Sequence, residues 1–366
     1  MTTTETPFVL RIDDPAAVGS PLLGGKFGSL AEMTAAGFAV PPGFGITTTA
    51  YRHFLEESGL ADAARTVRAE ARGADLARIQ ELSSAFTAEI EAAAMPPALE
   101  EAIRGSYAEL AERSGSGSAG LAVAVRSSGE SEDLAGASFA GQYDTFLWIR
   151  GADDVLTHVR RCWAGMFGPA VLTYRPEATA DAVLADHGIC VGVQQMVEAR
   201  SAGVMFTLDP VTGDRSKVVI EGCWGLGEGV VGGGVTPSRF VADKVTFEIV
   251  RRELTPQESA YGVDPATGAV GLVPVVEERR TAPCLTDQEI DTLVKLAKRI
   301  EQHRGAPQDI EWAVSEAGDV HVLQVRPETV WAHRRAEQLV AQPKSAVGHV
   351  LARFSGMGVT SGNRKS

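Results

Sequence analysis

Hydrophobic and polar residues alternate twice near the end of the chain, in Asp309-Ile310-Glu311-Trp312-Ala313-Val314-Ser315 and in Val320-His321-Val322-Leu323-Gln324-Val325-Arg326-Pro327. Glu316-Ala317-Gly318-Asp319 separates the two runs. Period-two alternation on both sides of a short glycine-containing turn predicts a β-hairpin. With its tip centred on Ala317-Gly318, Asp309 faces Arg326 and Glu311 faces Gln324. Residues two apart in a strand share a face, and directly opposed Cβ atoms lie about 5 Å apart. One face therefore gathers two carboxylates, an amide and a guanidinium. The other carries Ile310, Trp312, Val314, Leu323 and Val325, which suits a core.

The same pattern predicts elements along the rest of the chain. Phe8 to Ile12 reads as a short strand. Leu23-Gly24-Gly25-Lys26-Phe27 is a glycine loop running into a helix, with Phe27, Leu30, Met33 and Ala36 on one face. Gly37 closes that helix, and residues 40–47 lead through a strand to another helix near Thr48. Residues 60–113 keep helical periodicity, broken at Gly73 and Pro96-Pro97, which predicts two or three scaffold helices. A flexible Ser/Gly tract at 114–120 precedes the buried strand Leu121 to Val125, ending at Arg126-Ser127-Ser128. A surface loop over 129–142, a strand over 145–149 and helices over 153–167 and 169–174 follow. From Ile189 the pattern turns to β, with strands over 189–198, 203–208, 218–222, 239–243 and 246–251. A helix runs from Thr286, an N-cap residue, to His303. Residues 330–342 read as an exposed helix and 355–366 as a polar tail. The change of character sets a boundary near residue 185. It predicts a first lobe over 1–185, a β-rich second lobe over 186–330, and a linker and tail over 331–366.

Composition narrows the function classes. A chain of 366 residues can bury large cores in two or three domains. A hydrophobic share of 44% and a charged share of 22% are those of a soluble globular protein. A net charge of −13 argues against a nucleic-acid-binding surface. The first residues lack a basic n-region and an apolar h-region, and no apolar run reaches the length of a membrane span. Cys162, Cys190, Cys223 and Cys284 are widely spaced without a CxxC pair, which points to reduced thiols rather than disulfides or zinc. A cytoplasmic protein with neither nucleic-acid nor membrane partners is expected.

Four features carry candidate chemistry, each beside a plainer reading. The polar face of the hairpin is either a solvated strand surface with an opposed Asp/Arg pair or a Mg²⁺–phosphate site, since carboxylate and amide oxygens suit hard cations and Arg clamps phosphoryl oxygens. Gly24-Gly25-Lys26 is not a P-loop, because Ser20 and Phe27 stand where Gly and Ser/Thr are needed. It is either a helix start with a solvated lysine or an anion-binding turn. Gly227-Glu228-Gly229-Val230-Val231-Gly232 matches GxGxxG, but Gly233-Gly234-Val235-Thr236-Pro237 breaks the helix that dinucleotide binding requires. It remains a glycine-rich loop able to close over phosphates or ribose. Arg126 at a strand end either pairs with Glu130, Glu132 or Asp133 or opens an anion pocket. The seven histidines show no metal spacing.

Taken in order, these pieces resemble a known family. The run from Leu23 to Met33 and that from Gly37 to Phe44 are similar to the opening of phosphoenolpyruvate synthase, pyruvate phosphate dikinase and rifampicin phosphotransferase. Val125-Arg126-Ser127-Ser128, Glu132 to Leu134 and Ala137 to Phe146 resemble the same family. So do Gln195-Met196-Val197, Gly203 to Pro210, Trp224 to Glu228, Asp309 to Trp312 and Gln324 to Pro327, all in the family's order.

The resemblance implies an α+β, ATP-grasp fold of two lobes with the nucleotide cleft between them. It implies ATP and Mg²⁺ as cofactors. Lys26, Arg126 and Arg326 would hold and polarise the triphosphate, Glu311 and Gln324 would bind Mg²⁺, and Asp309 would sit beside them. Gln195, Met196 and Val197 would present backbone groups to adenine, and Glu221 would reach the nucleoside. Two departures stand out: Phe27, where a small residue is common, and Ser238, where Asp is frequent. Full-length relatives continue into a swivelling domain whose histidine receives the phosphoryl group. Phe354 to Gly362 resembles the first strand of that domain, and no histidine here has the Thr-Ser-His-Ala context. The expectation is therefore an ATP-binding subunit that phosphorylates a histidine-bearing partner subunit, resembling split enzymes that act on phenols or aryl alcohols. A truncated phosphoenolpyruvate synthase or antibiotic phosphotransferase, and a non-catalytic nucleotide-sensing module, are the alternatives.

Overall fold

A computed structural model of the chain describes residues 6–117, 120–129, 145–173 and 188–331. The first half comprises β1 (Val9–Arg11), α1 (Gly24–Ala35), β2 (Gly43–Ile46), α2 (Thr48–Glu57), α3 (Ala61–Ala71), α4 (Leu76–Ala92), α5 (Pro97–Arg113), β3 (Ala122–Gly129), β4 (Thr145–Arg150), α6 (Ala152–Gly165), α7 (Pro169–Thr173) and β5 (Ile189–Gln195). Its strands form an antiparallel sheet in the order β1-β2-β5-β3-β4. Phe44, Ile46, Val123, Val125, Val191 and Val193 leave one face to meet Tyr51, Phe54, Phe86, Ile103 and Trp163 of the helices. The opposite face receives α1 through Leu23, Phe27 and Leu30.

The second half holds β6 (Ala199–Phe206), β7 (Lys217–Trp224), α8 (Glu228–Val231), β8 (Ser238–Asp243), β9 (Ile249–Glu253), β10 (Ser259–Val263), β11 (Val270–Pro274), α9 (Glu277–Arg280), α10 (Asp287–Arg304), β12 (Gln308–Ser315) and β13 (Val320–Pro327). An antiparallel sheet runs β13-β12-β6-β7-β8-β9, while β10 and β11 form a separate hairpin. Helix α10 begins in a capping box between Thr286 and Glu289. Its Ile290, Leu293, Val294, Ala297 and Ile300 share a core with Met205, Ile220, Phe240, Ile310 and Trp312 of the sheet. The other sheet face is left for Asp309, Glu311 and Gln324.

Helix α1 joins the two halves. Its Phe27 and Leu30 lie in the first half's core, whereas Met33 is buried among residues of the second. The Ser29 hydroxyl donates to the Val325 carbonyl at 2.8 Å, the Val322 N–H to Ala39 at 2.8 Å, and Arg304 pairs with Glu32.

Three features differ from the pattern-based expectations. Strand β5 lies between β2 and β3 in the first sheet, so the chain changes sheets over 196–198 rather than near 185. An apolar run reports that a strand is buried on both faces, not which sheet it joins. The β10–β11 hairpin lacks strong alternation and was not foreseen. In β13 the register slips by one after Glu311, because Trp312 pairs with Val322 and Leu323 is left as a bulge. Val322 therefore takes the core position expected of Leu323. Among the described residues no helix is long and apolar enough to cross a membrane. All four cysteines are buried and none is in a disulfide, and burial pushes Cys223 and Cys284 up to about 12.

Candidate functional site

The site begins where α1 meets β3. Gly24 adopts φ 62°, and a Cβ there would collide with the backbone of Ser128. Only glycine permits that approach. The Ser128 hydroxyl donates to the Leu23 carbonyl at 2.8 Å and accepts from the Phe27 N–H at 3.1 Å, capping the helix from another strand. Lys26 is thereby held in the first turn of α1, partly exposed. Phe27 is wholly buried over Gly192, whose missing side chain makes room for the ring. The departure at Phe27 is thus matched by a glycine on β5.

Arg126 lies two residues from Ser128, on the same face of β3. Its side chain crosses from the first sheet to the second, donating to Gln324 Oε1 and standing 3.9 Å from Glu311 Oε2. The guanidinium is buried, and among the described residues its Nε has no hydrogen-bond partner. Glu130, Glu132 and Asp133, the alternative partners, fall outside the described residues. Glu311 and Gln324 are cross-strand neighbours, as are Asp309 and Arg326. Arg326 grips Asp309 Oδ2 through Nε at 2.8 Å and a terminal nitrogen at 2.7 Å. At the tip the strands pair one residue out of step with the predicted register, and the Leu323 bulge restores it before Gln324.

Burial raises the Asp309 carboxyl above its ordinary value despite Arg326, and Glu311 and Glu328 add to the rise. Burial likewise raises Glu228, with Glu311 adding repulsion and Arg126 opposing it. Glu228 thus belongs to the electrostatic neighbourhood of Arg126 and Glu311. Sequence reasoning noticed its motif but assigned it no role, because nothing local places the glycine-rich turn beside the hairpin. A carboxylate and an amide oxygen turned toward a buried cation form a donor pair suited to Mg²⁺. Among the described residues no group of three or more His, Cys, Asp or Glu comes together for a metal. A cation held here would complete its shell with water and ligand oxygens, as Mg²⁺ commonly does.

Glu221 shares a transverse row with this cluster, Gln324–Glu311–Val204–Glu221–Arg239 across five strands. It stands 3.8 Å from Arg239, which also lies 3.7 Å from Asp209. Ser238 is buried and its hydroxyl accepts from the Thr255 N–H at 3.1 Å, so it ties down a loop.

Gln195, Met196 and Val197 form the crossing between sheets and line a pocket of about 370 Å³ with Pro42, Trp148 and His321. The Gln195 N–H is bonded to Pro42 O at 2.9 Å and the Met196 N–H to Ala122 O at 3.0 Å. Continued one residue beyond the Gly43 and Gln194 pair, the register sets Pro42 opposite Gln195, in keeping with the Gln195 to Pro42 hydrogen bond. Proline has no N–H to return the bond, so the Gln195 carbonyl lacks its ladder donor beside the pocket. His321, one of the seven histidines without metal spacing, lines that pocket, and burial lowers its pKa.

Residues 20–346 match the family described as "Pyruvate phosphate dikinase, AMP/ATP-binding domain". The chain belongs to this family. Family membership agrees with the α+β architecture, whose two sheets meet through Arg126 and α1 in the manner of an ATP-grasp unit. A probable phosphoenolpyruvate synthase from Staphylothermus marinus is 38% identical over 96% of this chain and 45% of its own length. One from Methanothermobacter thermautotrophicus is 42% identical over 84% of this chain and 44% of its own. The prodigiosin synthesizing transferase PigC from Serratia marcescens is 40% identical over 88% of this chain and 33% of its own. The chain thus spans less than half the length of each of these relatives. Among solved structures, D-alanyl-alanine synthetase A from Vibrio cholerae covers 63% of this chain and 47% of its own at 12% identity and a TM-score of 0.27, too slight a likeness to add to the family match.

Proposed function

We propose that this chain binds Mg-ATP between its lobes and phosphorylates a histidine on a separate, histidine-bearing phosphocarrier subunit. That histidine passes the phosphoryl group to a small-molecule acceptor of the phenol or aryl-alcohol class. ATP, water and the acceptor hydroxyl become AMP, phosphate and a phosphoryl ester. The observation that carries the nucleotide reading is the buried Arg126 guanidinium, bridging Gln324 and Glu311 across the cleft. Burying a cation costs free energy unless opposite charge and hydrogen bonds compensate it. Here it lies between two groups suited to a divalent cation and next to the strand end that caps α1.

In this reading Lys26, Arg126 and Arg326 bind phosphate oxygens and draw electron density from the bond that breaks. Phosphoryl transfer depends mainly on positioning and charge neutralisation, which is what three cations from two lobes supply. When bound, Mg²⁺ would offset phosphate charge from Glu311 and Gln324, with Asp309 orienting Arg326. Glu221 would meet the ribose. An adenine amino group would donate to the open Gln195 carbonyl, and the Val197 N–H would serve the neighbouring ring nitrogen. Met196 completes the segment, its own N–H being taken by Ala122.

The relatives named phosphoenolpyruvate synthase favour a second reading of the acceptor, pyruvate, with the nucleotide chemistry unchanged. The test mixes this chain with a histidine-bearing candidate partner, ATP, and a panel of phenols, benzyl alcohols and pyruvate, and follows AMP and labelled partner. Lys26→Ala and Glu311→Ala should abolish histidine labelling while the thermal midpoint holds. Normal labelling by either variant refutes the site, and AMP formation at full rate by this chain alone refutes the partner.

A further inference from the structure

Trp148 occupies a backbone conformation that its side chain does not favour. Val123 pairs with Ile149 and Val125 with Phe146, so Leu147 and Trp148 together oppose Ala124 as a bulge in β4. Trp148 takes φ 63°, in the left-handed region. Glycine and asparagine fill such positions readily, and a bulky residue does so only where its surroundings hold it. Bulges beside sites serve to re-aim side chains. This one brings Trp148 to the pocket at the sheet crossing, together with Pro42, Gln195 and Val197, and with His321 from the second lobe. The Arg150 guanidinium lies 5.9 Å from the centre of the indole. Trp163 and Trp312 are wholly buried in the two cores, whereas Trp148 is partly exposed at the pocket.

We propose that Trp148 is the nucleobase-stacking residue of this pocket and so a determinant of nucleotide affinity. The inference rests on the nucleotide reading of the site. The pocket offers the base an edge, through the Gln195 carbonyl, and an aromatic face, through the indole. His321 closes it from the opposite lobe, so an inserted base bridges the two halves. A strained backbone retained for a ligand contact has a diagnostic consequence: relieving the strain improves the fold while harming binding. Asparagine tolerates the left-handed region and cannot stack as an indole does.

The test measures ATP affinity by calorimetry and the thermal midpoint without ligand for wild type, Trp148→Asn and Trp148→Phe. Trp148→Asn should bind ATP about 10-fold more weakly or worse, as removal of a base-stacking ring does. Its midpoint should equal or exceed that of wild type. Trp148→Phe should keep affinity within about 3-fold, because a phenyl ring still stacks. Adenosine should quench a component of tryptophan emission that is missing from Trp148→Phe. Unchanged ATP affinity in Trp148→Asn overturns the proposal and leaves the nucleotide reading standing. A fall in both affinity and midpoint also overturns it, by showing a structural role. Failure of wild type to bind ATP at all removes the nucleotide reading and this inference together.

Discussion

Gly192→Ala tests the link between core packing and the proposed phosphate-binding lysine. A Cβ at residue 192 would overlap three carbons of the Phe27 ring, Cδ2, Cε2 and Cζ. Phe27 is wholly buried on α1, and Ser128 fixes the turn that carries it. The ring therefore has little room to retreat without taking the helix with it. Overpacking of this kind costs about 1–3 kcal/mol, and the three-atom overlap favours the upper end. The first turn of α1 also carries Lys26, so ATP affinity should fall along with stability. Phe27→Ala alone should cost about 3–5 kcal/mol through the cavity it leaves. In the double variant the new methyl enters that cavity, so the overpacking cost disappears and the two effects do not add. Urea unfolding of the four proteins, with ATP calorimetry on each, measures the cycle. Wild-type stability in Gly192→Ala, or additive losses in the double variant, would refute the packing argument.

Two further outcomes follow from the same geometry. Asp309 and Glu228 are raised from ordinary values of 3.8 and 4.5, so the folded chain holds their protons more tightly than the unfolded chain does. The stability they contribute is complete below those values and is lost as pH rises through the raised ones. Relative to Asp309→Asn with Glu228→Gln, the unliganded wild type should lose stability as pH climbs above 4.5, and a difference of the opposite sign refutes the assignment. Ser128→Ala removes both hydrogen bonds that pin α1 and should cost about 1–3 kcal/mol. Hydrogen exchange at the Phe27 amide should quicken, and unchanged protection there would show that the cap contributes nothing.

Much of the site was legible in the sequence because it depends on short-range rules. Alternation gave the hairpin and set Asp309 opposite Arg326 and Glu311 opposite Gln324, as observed. Thr286, a residue type that caps helices, marked the start of α10, and the capping box with Glu289 emerged in the fold. Helical spacing identified the face of α1 that Phe27, Leu30 and Met33 bury. The ordered family motifs led to the family itself, which residues 20–346 then matched.

What remained depended on contacts between distant residues. Periodicity fixes which side chains share a face, but a bulge changes the count, and bulges arise where strands must bend to meet neighbours. Leu323 and Trp148 therefore lie where no local pattern puts them. The membership of β5 in the first sheet follows from its pairing with β2 and β3, as does the open Gln195 carbonyl opposite Pro42. Arg126 could be read from the sequence only as a cation at a strand end. Its place between Gln324 and Glu311 was decided by how α1 and the two sheets pack together, because charge on one strand carries no information about which strand will face it.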